Sequence, residues 1–142
     1  MNRRSALMFS GLVLVVAAMI QTGCRRVDDT ANMIELQRVR SGMMDIVLLS
    51  PHDALRHGKD AFVIEFRSTS GRKLVDVGTV RVSANMPMPG MAMFGTIEAR
   101  PTSVPGRYAA NSEFGMAGTW RMKIEWDNPD SRGSVSFAET VQ

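Results

Sequence analysis

The sequence predicts an all-β protein, an immunoglobulin-like antiparallel β-sandwich without a disulfide, set behind an export signal. Three observations lead there. Apolar residues recur with a period of two in short runs, and turn residues separate those runs. No window of ten or more residues beyond the N-terminal segment carries a helical stripe. About seven or eight such runs fit in the chain, the number expected of a sandwich with Greek-key connections.

Taken in order, a first strand is expected over 34–40. Met44, Ile46 and Leu48 then alternate with Asp45 and Val47, and Ser50-Pro51 ends the run. Phe62, Ile64 and Phe66 alternate with Val63, Glu65 and Arg67 before Ser70-Gly71 turns the chain. Val80 and Val82 alternate with Arg81 and Ser83, and further strands are expected over 94–99 and 106–114. The clearest run sets Trp120, Met122, Ile124 and Trp126 against Arg121, Lys123, Glu125 and Asp127, closed by Asn128-Pro129-Asp130. Val135 and Phe137 supply the last. All six prolines fall at or between runs, where a missing N–H is tolerated.

Ahead of this domain, Arg3-Arg4 precedes an apolar stretch from Ala6 to Ile20 and then Gln21-Thr22-Gly23-Cys24. A basic start, a short apolar core and small residues before a cleavage point make residues 1–23 a secretory signal. Thr22-Gly23-Cys24 resembles a bacterial lipobox, which makes Cys24 the expected lipidated first residue of the mature chain. Gln21 stands where that motif usually has an aliphatic residue, so a cleaved but unlipidated form is the alternative. Residues 24–32 are polar and aperiodic, a tether to a single domain over 33–142. The adjacent Asp28 and Asp29 belong to that solvated tether rather than to a catalytic pair. The expected location is the bacterial cell envelope, on a membrane, facing the periplasm or the exterior.

Cys24 is the only cysteine, which excludes an intrachain disulfide and any CxxC site. Removing residues 1–23 takes Arg3 and Arg4 from the 17 basic residues and leaves 15 against 14 acidic, a net charge of about +1. The high pI of the full chain thus gives no case for nucleic acid as a partner.

One segment stands apart: Asn85-Met86-Pro87-Met88-Pro89-Gly90-Met91-Ala92-Met93. The chain has 12 methionines, and four of the nine beyond the signal lie between Met86 and Met93. Pro87, Pro89 and Gly90 argue against a regular strand here, so the four side chains are expected on a loop or strand edge. Thioethers are soft ligands that select Cu(I) and need no deprotonation. They also form no disulfides in an oxidising compartment, although oxidation to the sulfoxide removes the donor. Two other readings stay open at this level. The methionines can cap the end of the sandwich as packing, or they can form an adaptable protein-binding rim.

Met86-Pro87-Met88-Pro89-Gly90-Met91, then Pro105-Gly106-Arg107-Tyr108, then Met116-Ala117-Gly118-Thr119-Trp120 resembles the YtkA-like/FixH-like family in residue type and order. The resemblance covers roughly residues 40–128 and implies a small exported or membrane-anchored β-sandwich. FixH-like members are associated with a copper-transporting pump and with cytochrome oxidase assembly, which makes such a protein the implied partner. This chain differs from FixH in carrying a lipoprotein-type signal in place of a retained membrane helix.

Within the sandwich, Tyr108 is expected to bury its ring and tie its hydroxyl to a backbone group, as a tyrosine corner does. Gly118 is expected to turn tightly into the strand that carries Trp120 inward. Met116 joins Met86, Met88, Met91 and Met93 as a candidate Cu(I) ligand if its loop lies beside theirs, and otherwise packs. His52 and His57, in one polar connection, join only if the loops at one end converge. No G-x-S-x-G, glycine-rich phosphate loop or HExxH is present, and two histidines with no acid at a recognisable spacing suggest no triad. The chain is therefore expected to bind rather than catalyse. Two classes result: an envelope protein that holds or hands over Cu(I), and an accessory module that contacts a membrane protein through the same methionine edge.

Overall fold

A computed structural model describes residues 29–142. The signal over 1–23, Cys24 and the first part of the tether lie outside the described residues. Eight strands run through the described residues: β1 (Ile34–Ser41), β2 (Met44–Ser50), β3 (Gly58–Ser68), β4 (Thr79–Met88), β5 (Met91–Pro101), β6 (Arg107–Phe114), β7 (Gly118–Asp127) and β8 (Arg132–Val141). Each run of two-period alternation became a strand, because a half-buried pleated surface presents alternate residues to one core.

Hydrogen-bonded neighbours follow the order β1-β2-β3-β6-β5-β4-β7-β8, all antiparallel. The pairings β2-β3-β6-β5 and β4-β7-β8 are those of the two sheets of a constant-type immunoglobulin domain, with β1 added at one edge. Strand β5 belongs to both sheets. Its residues from Thr96 to Pro101 pair with β6, whereas Met91 to Gly95 pair with β4. Gly95 sits at the change-over. A Cβ there would lie 3.0 Å from Phe114 Cδ1 and 3.4 Å from Trp120 Cζ3, so the missing side chain admits two core rings to the corner. Those rings pack with centroids 5.0 Å apart.

Between the sheets lie Ile46, Leu48, Phe62, Ile64, Phe66, Tyr108, Phe114, Trp120, Met122, Ile124 and Trp126, all buried. Phe66 presents edges to Tyr108 and Trp126 with centroids 5.5 Å away in each case. Burying an aliphatic or aromatic side chain of this size contributes about 1.5–3 kcal/mol, enough for a core without a disulfide.

The face of β2 and β3 that alternates with the core residues is also partly buried. Val47, Leu49 and Val63 form a second buried cluster outside the main core, with Met33 packed on it. Glu65 is also buried, at 1% exposure. Its carboxylate accepts from Arg107 Nε at 2.7 Å and Arg67 Nε at 2.7 Å, so the buried charge is paired on both oxygens.

Tyr108 does bury its ring, and its hydroxyl donates to the Gly78 carbonyl at 2.8 Å. The tie differs from a tyrosine corner in reach, because it fastens β6 to the connection between β3 and β4.

Candidate metal site

The methionine segment is a β-hairpin rather than a loop. Strand β4 continues through Met88 and β5 begins at Met91, with Pro89-Gly90 as the two-residue turn. Pro89 presets the first turn position, and Gly90, at φ 79°, takes the positive φ that the second needs in a type II turn. The expectation that Pro87 would interrupt the strand was incorrect for a specific reason. Pro87 has no N–H to donate toward Ala92, so the ladder bonds fall on Met86/Met93 and Met88/Met91. On its other side β4 pairs with β7 only as far as Asn85↔Arg121, so no neighbour there asks Pro87 for a bond.

This register fixes the sulfurs. Met86 lies opposite Met93 and Met88 opposite Met91, and residues two apart share a face. All four side chains therefore leave one face of the hairpin, on the side that continues the core. From Met86 onward β4 has left β7, and β5 meets β6 only from Thr96. The hairpin tip thus overhangs both sheets as a two-stranded arm carrying four thioethers.

Burial grades along the arm. Met86 is 9% exposed and belongs to the core cluster, and Met88 and Met93 pack against it half-buried. Met91 at the tip is 68% exposed. The packing reading describes Met86 well and Met91 poorly.

The loop between β6 and β7 lies against this face, as required for Met116 to approach it. A Cβ on Gly115 would lie 3.2 Å from Met93 Sδ, and one on Gly118 would lie 2.7 Å from Met86 Cε and 3.7 Å from its sulfur. Gly118 also has φ 142°, so the turn into β7 and the close approach of Met86 both require glycine. Met116, between these glycines, is 41% exposed, and its carbonyl accepts from Trp120 Nε1 at 3.1 Å. Its backbone is therefore held beside the methionine face, between two glycines that touch Met93 and Met86, and its side chain is partly exposed. The Gly115-Met116-Ala117-Gly118 spacing is the sequence signal for this close approach, with Gly115 as important to it as Gly118.

The two histidines share this end of the sandwich. Gly58 at the start of β3 faces Phe114 at the end of β6, so the connection over 51–57 and the loop over 115–117 emerge together. His57 N–H donates to the Gln142 oxygen at 2.7 Å, and Gln142 N–H donates to the Leu55 carbonyl at 2.7 Å. His57 Nδ1 lies 3.0 Å from that same Gln142 oxygen. His52 is tied locally, its N–H donating to Ser50 Oγ at 3.1 Å. This clasp between the β2–β3 connection and the end of β8 was not legible in the sequence.

One carboxyl near the site is out of the ordinary. Glu139, opposite Trp120 in the β7–β8 ladder, has its Oε2 buried without a hydrogen-bond partner. Burial pushes its pKa above the usual carboxylate range. Asp29 is a turn residue whose carboxylate accepts the Ala31 N–H at 2.9 Å. Among the described residues, no three His, Cys, Asp or Glu side chains lie close enough together to hold a metal ion.

Comparison with known proteins shows the family and the fold. A family model described as YtkA-like matches residues 40–125. Among solved structures, the chain resembles a copper-bound variant of FetP from uropathogenic Escherichia coli, at 11% identity and a TM-score of 0.50, covering 76% of this chain and 96% of that one. As-isolated FetP, produced in the Escherichia coli periplasm, aligns at 13% identity and a TM-score of 0.47, covering 75% of this chain and 93% of that one. At such identities the likeness concerns the fold. No curated protein sequence matches the chain.

Proposed function

The chain belongs to the YtkA-like family, and from that premise we propose that its methionine end holds Cu(I) in the cell envelope and passes it to a membrane protein. One observation carries the reading: two cross-strand methionine pairs on a single face of an overhanging hairpin, with the Met116 loop packed beside it. Cross-strand neighbours stand close enough for flexible side chains to converge. Thioethers prefer Cu(I) to harder ions. Met88, Met91, Met93 and Met116 are the accessible donors, with Met86 as the buried base of the site. FetP, whose fold this chain resembles, is a copper-bound protein in one of its structures, which adds weight to the reading.

In this account the segment over 1–23 exports the chain, and Cys24 carries the lipid that keeps the site near its partner. The grading from buried Met86 to exposed Met91 suits transfer, since an incoming sulfur donor meets the tip first. The role is binding and delivery, without chemistry on an organic substrate.

A second reading draws on the same end. Met91 and Met116 are 68% and 41% exposed, and Phe94, on the opposite face of the hairpin, is 78% exposed, apolar surface of the kind that meets a protein partner. Exchanging Met88 and Met91 for leucine separates the two readings, because leucine keeps apolar volume and removes the donor. Titration of the purified protein with Cu(I) against a chromophoric chelator is expected to show stoichiometric binding that the double-leucine variant loses. Equal competition by both proteins would overturn the copper reading and favour the rim.

A further inference from the structure

The geometry points to His57 as a nitrogen ligand that, together with Met116, lets the methionine end hold Cu(II) as well as Cu(I). The inference rests on the methionine reading and extends it to a second oxidation state. Its basis is a juxtaposition made by two ladders. Phe114 and Gly118 bracket the loop that carries Met116, and their partners are Gly58 and Val141. His57 stands one residue before Gly58, and Gln142 one residue after Val141. These two flanking residues are joined by the His57 N–H bond to the Gln142 oxygen, at 2.7 Å. The clasp therefore runs alongside the Met116 loop, and the hairpin methionines lie against that loop through Gly115 and Gly118.

The state of the imidazole follows from its partner. Nδ1 lies 3.0 Å from the Gln142 main-chain oxygen, which can only accept. Nδ1 therefore carries the proton, and in the neutral ring Nε2 keeps its lone pair for a metal. Metal-ligating histidines are commonly held this way, with the second nitrogen donating to a carbonyl or carboxylate. His57 is exposed, so its ring is accessible to a ligand, and its backbone N–H is held by the Gln142 oxygen while Leu55, two residues earlier, accepts from the Gln142 N–H. His52 shares the connection and lacks the clasp. Among the candidates it serves as the internal control.

The chemical consequence is a change in which ions the site accepts. An all-thioether set selects Cu(I), whereas imidazole suits copper in its divalent state. A mixed set at the rim would hold an ion whose oxidation state varies in an oxidising compartment, without involving Cys24.

The test uses the full chain purified in detergent, titrated separately with a Cu(II) salt and with Cu(I) against a chelator. Electron paramagnetic resonance of the Cu(II) form is expected to show nitrogen hyperfine coupling. His57→Ala should abolish that coupling and weaken Cu(II) by at least about tenfold, the loss that even an outer partner of a metal ligand causes. His57→Asn keeps a donor for the Gln142 oxygen and removes Nε2, so it should behave like His57→Ala while preserving the clasp. His52→Ala should match the wild type. Nitrogen coupling that survives in both His57 variants, or that disappears in His52→Ala instead, would overturn the inference. So would wild-type protein that binds Cu(I) and shows no nitrogen coupling with Cu(II), a result that leaves the methionine reading intact. A failure to bind Cu(I) in wild type would instead overturn the methionine reading itself.

Discussion

Gly118 makes room for Met86: a side-chain carbon at 118 would stand 2.7 Å from the terminal methyl of that methionine. The contact joins the start of β7 to the buried end of the sulfur face, so one glycine serves both the fold and the candidate site.

Gly118→Ala should therefore act twice. It forces Met86 to move and places a Cβ at φ 142°, and together these are expected to cost about 2 kcal/mol in urea unfolding. Gly90→Ala is the control, since nothing lies within 4 Å of a Cβ there and only the positive φ of 79° is strained, at about 1 kcal/mol. Cu(I) affinity should fall in the first variant more than in the second. The reverse order would mean that the Met86–Gly118 contact does not shape the site.

Glu139 gives a pH-dependent prediction. Burial raises its carboxyl pKa, and its Oε2 has no hydrogen-bond partner. A raised native-state value favours the protonated form, so the stabilising contribution is complete below the unfolded pKa of about 4.3 and is lost as pH rises through the raised value. Glu139→Gln removes the ionisation and should unfold at higher urea than wild type near neutral pH, with the gap closing toward about pH 4. Glu35 and Asp45 act in the opposite sense. Hydrogen bonds from Arg38 and Arg40 hold them below the usual range, so their stabilisation is lost as pH falls through those lowered values. Parallel urea midpoints for wild type and Glu139→Gln from pH 4 to pH 8 would contradict the assignment.

The sequence carried the strands and the thioether segment more clearly than the relationships between them. Trp120, Met122, Ile124 and Trp126 alternate so regularly that their inward face was legible, and all four are buried. Period-two alternation is local, so it survives without any knowledge of partners. The sharing of β5 between sheets was not legible, because it depends on Gly95 admitting Phe114 and Trp120 from two other strands. Pro87 read as a strand breaker because its missing N–H counts against a strand only when a neighbour needs it, and the end of the β4–β7 ladder at Asn85 removes that need. Alternation set Glu65 out of phase with Phe62, Ile64 and Phe66 and carried no sign of its pairing, since only the register with β6 brings Arg107 opposite it. The His57–Gln142 clasp spans most of the domain and has no local signature.

Glu65 also yields a stability prediction. Glu65→Gln removes a charge that is 1% exposed and leaves Arg67 and Arg107 facing each other across β3 and β6. Because both arginines keep some solvent contact, the expected cost is about 2 kcal/mol, below the range for fully buried pairs. Glu98→Gln, which breaks an exposed pair with Arg100, should change stability by less than about 0.5 kcal/mol. Equilibrium unfolding of the two variants side by side checks the contrast, and equal effects would mean that the Glu65 pairing contributes no more than a surface bridge.

The central claim is that the thioethers on one face of the β4–β5 hairpin hold Cu(I), and X-ray absorption at the copper edge reads the donor atoms directly. The Cu(I)-loaded protein is expected to show a shell dominated by sulfur, and that sulfur contribution should drop when Met88 and Met91 are both leucine. A shell of nitrogen and oxygen alone, or a sulfur shell unchanged by the two substitutions, would contradict it.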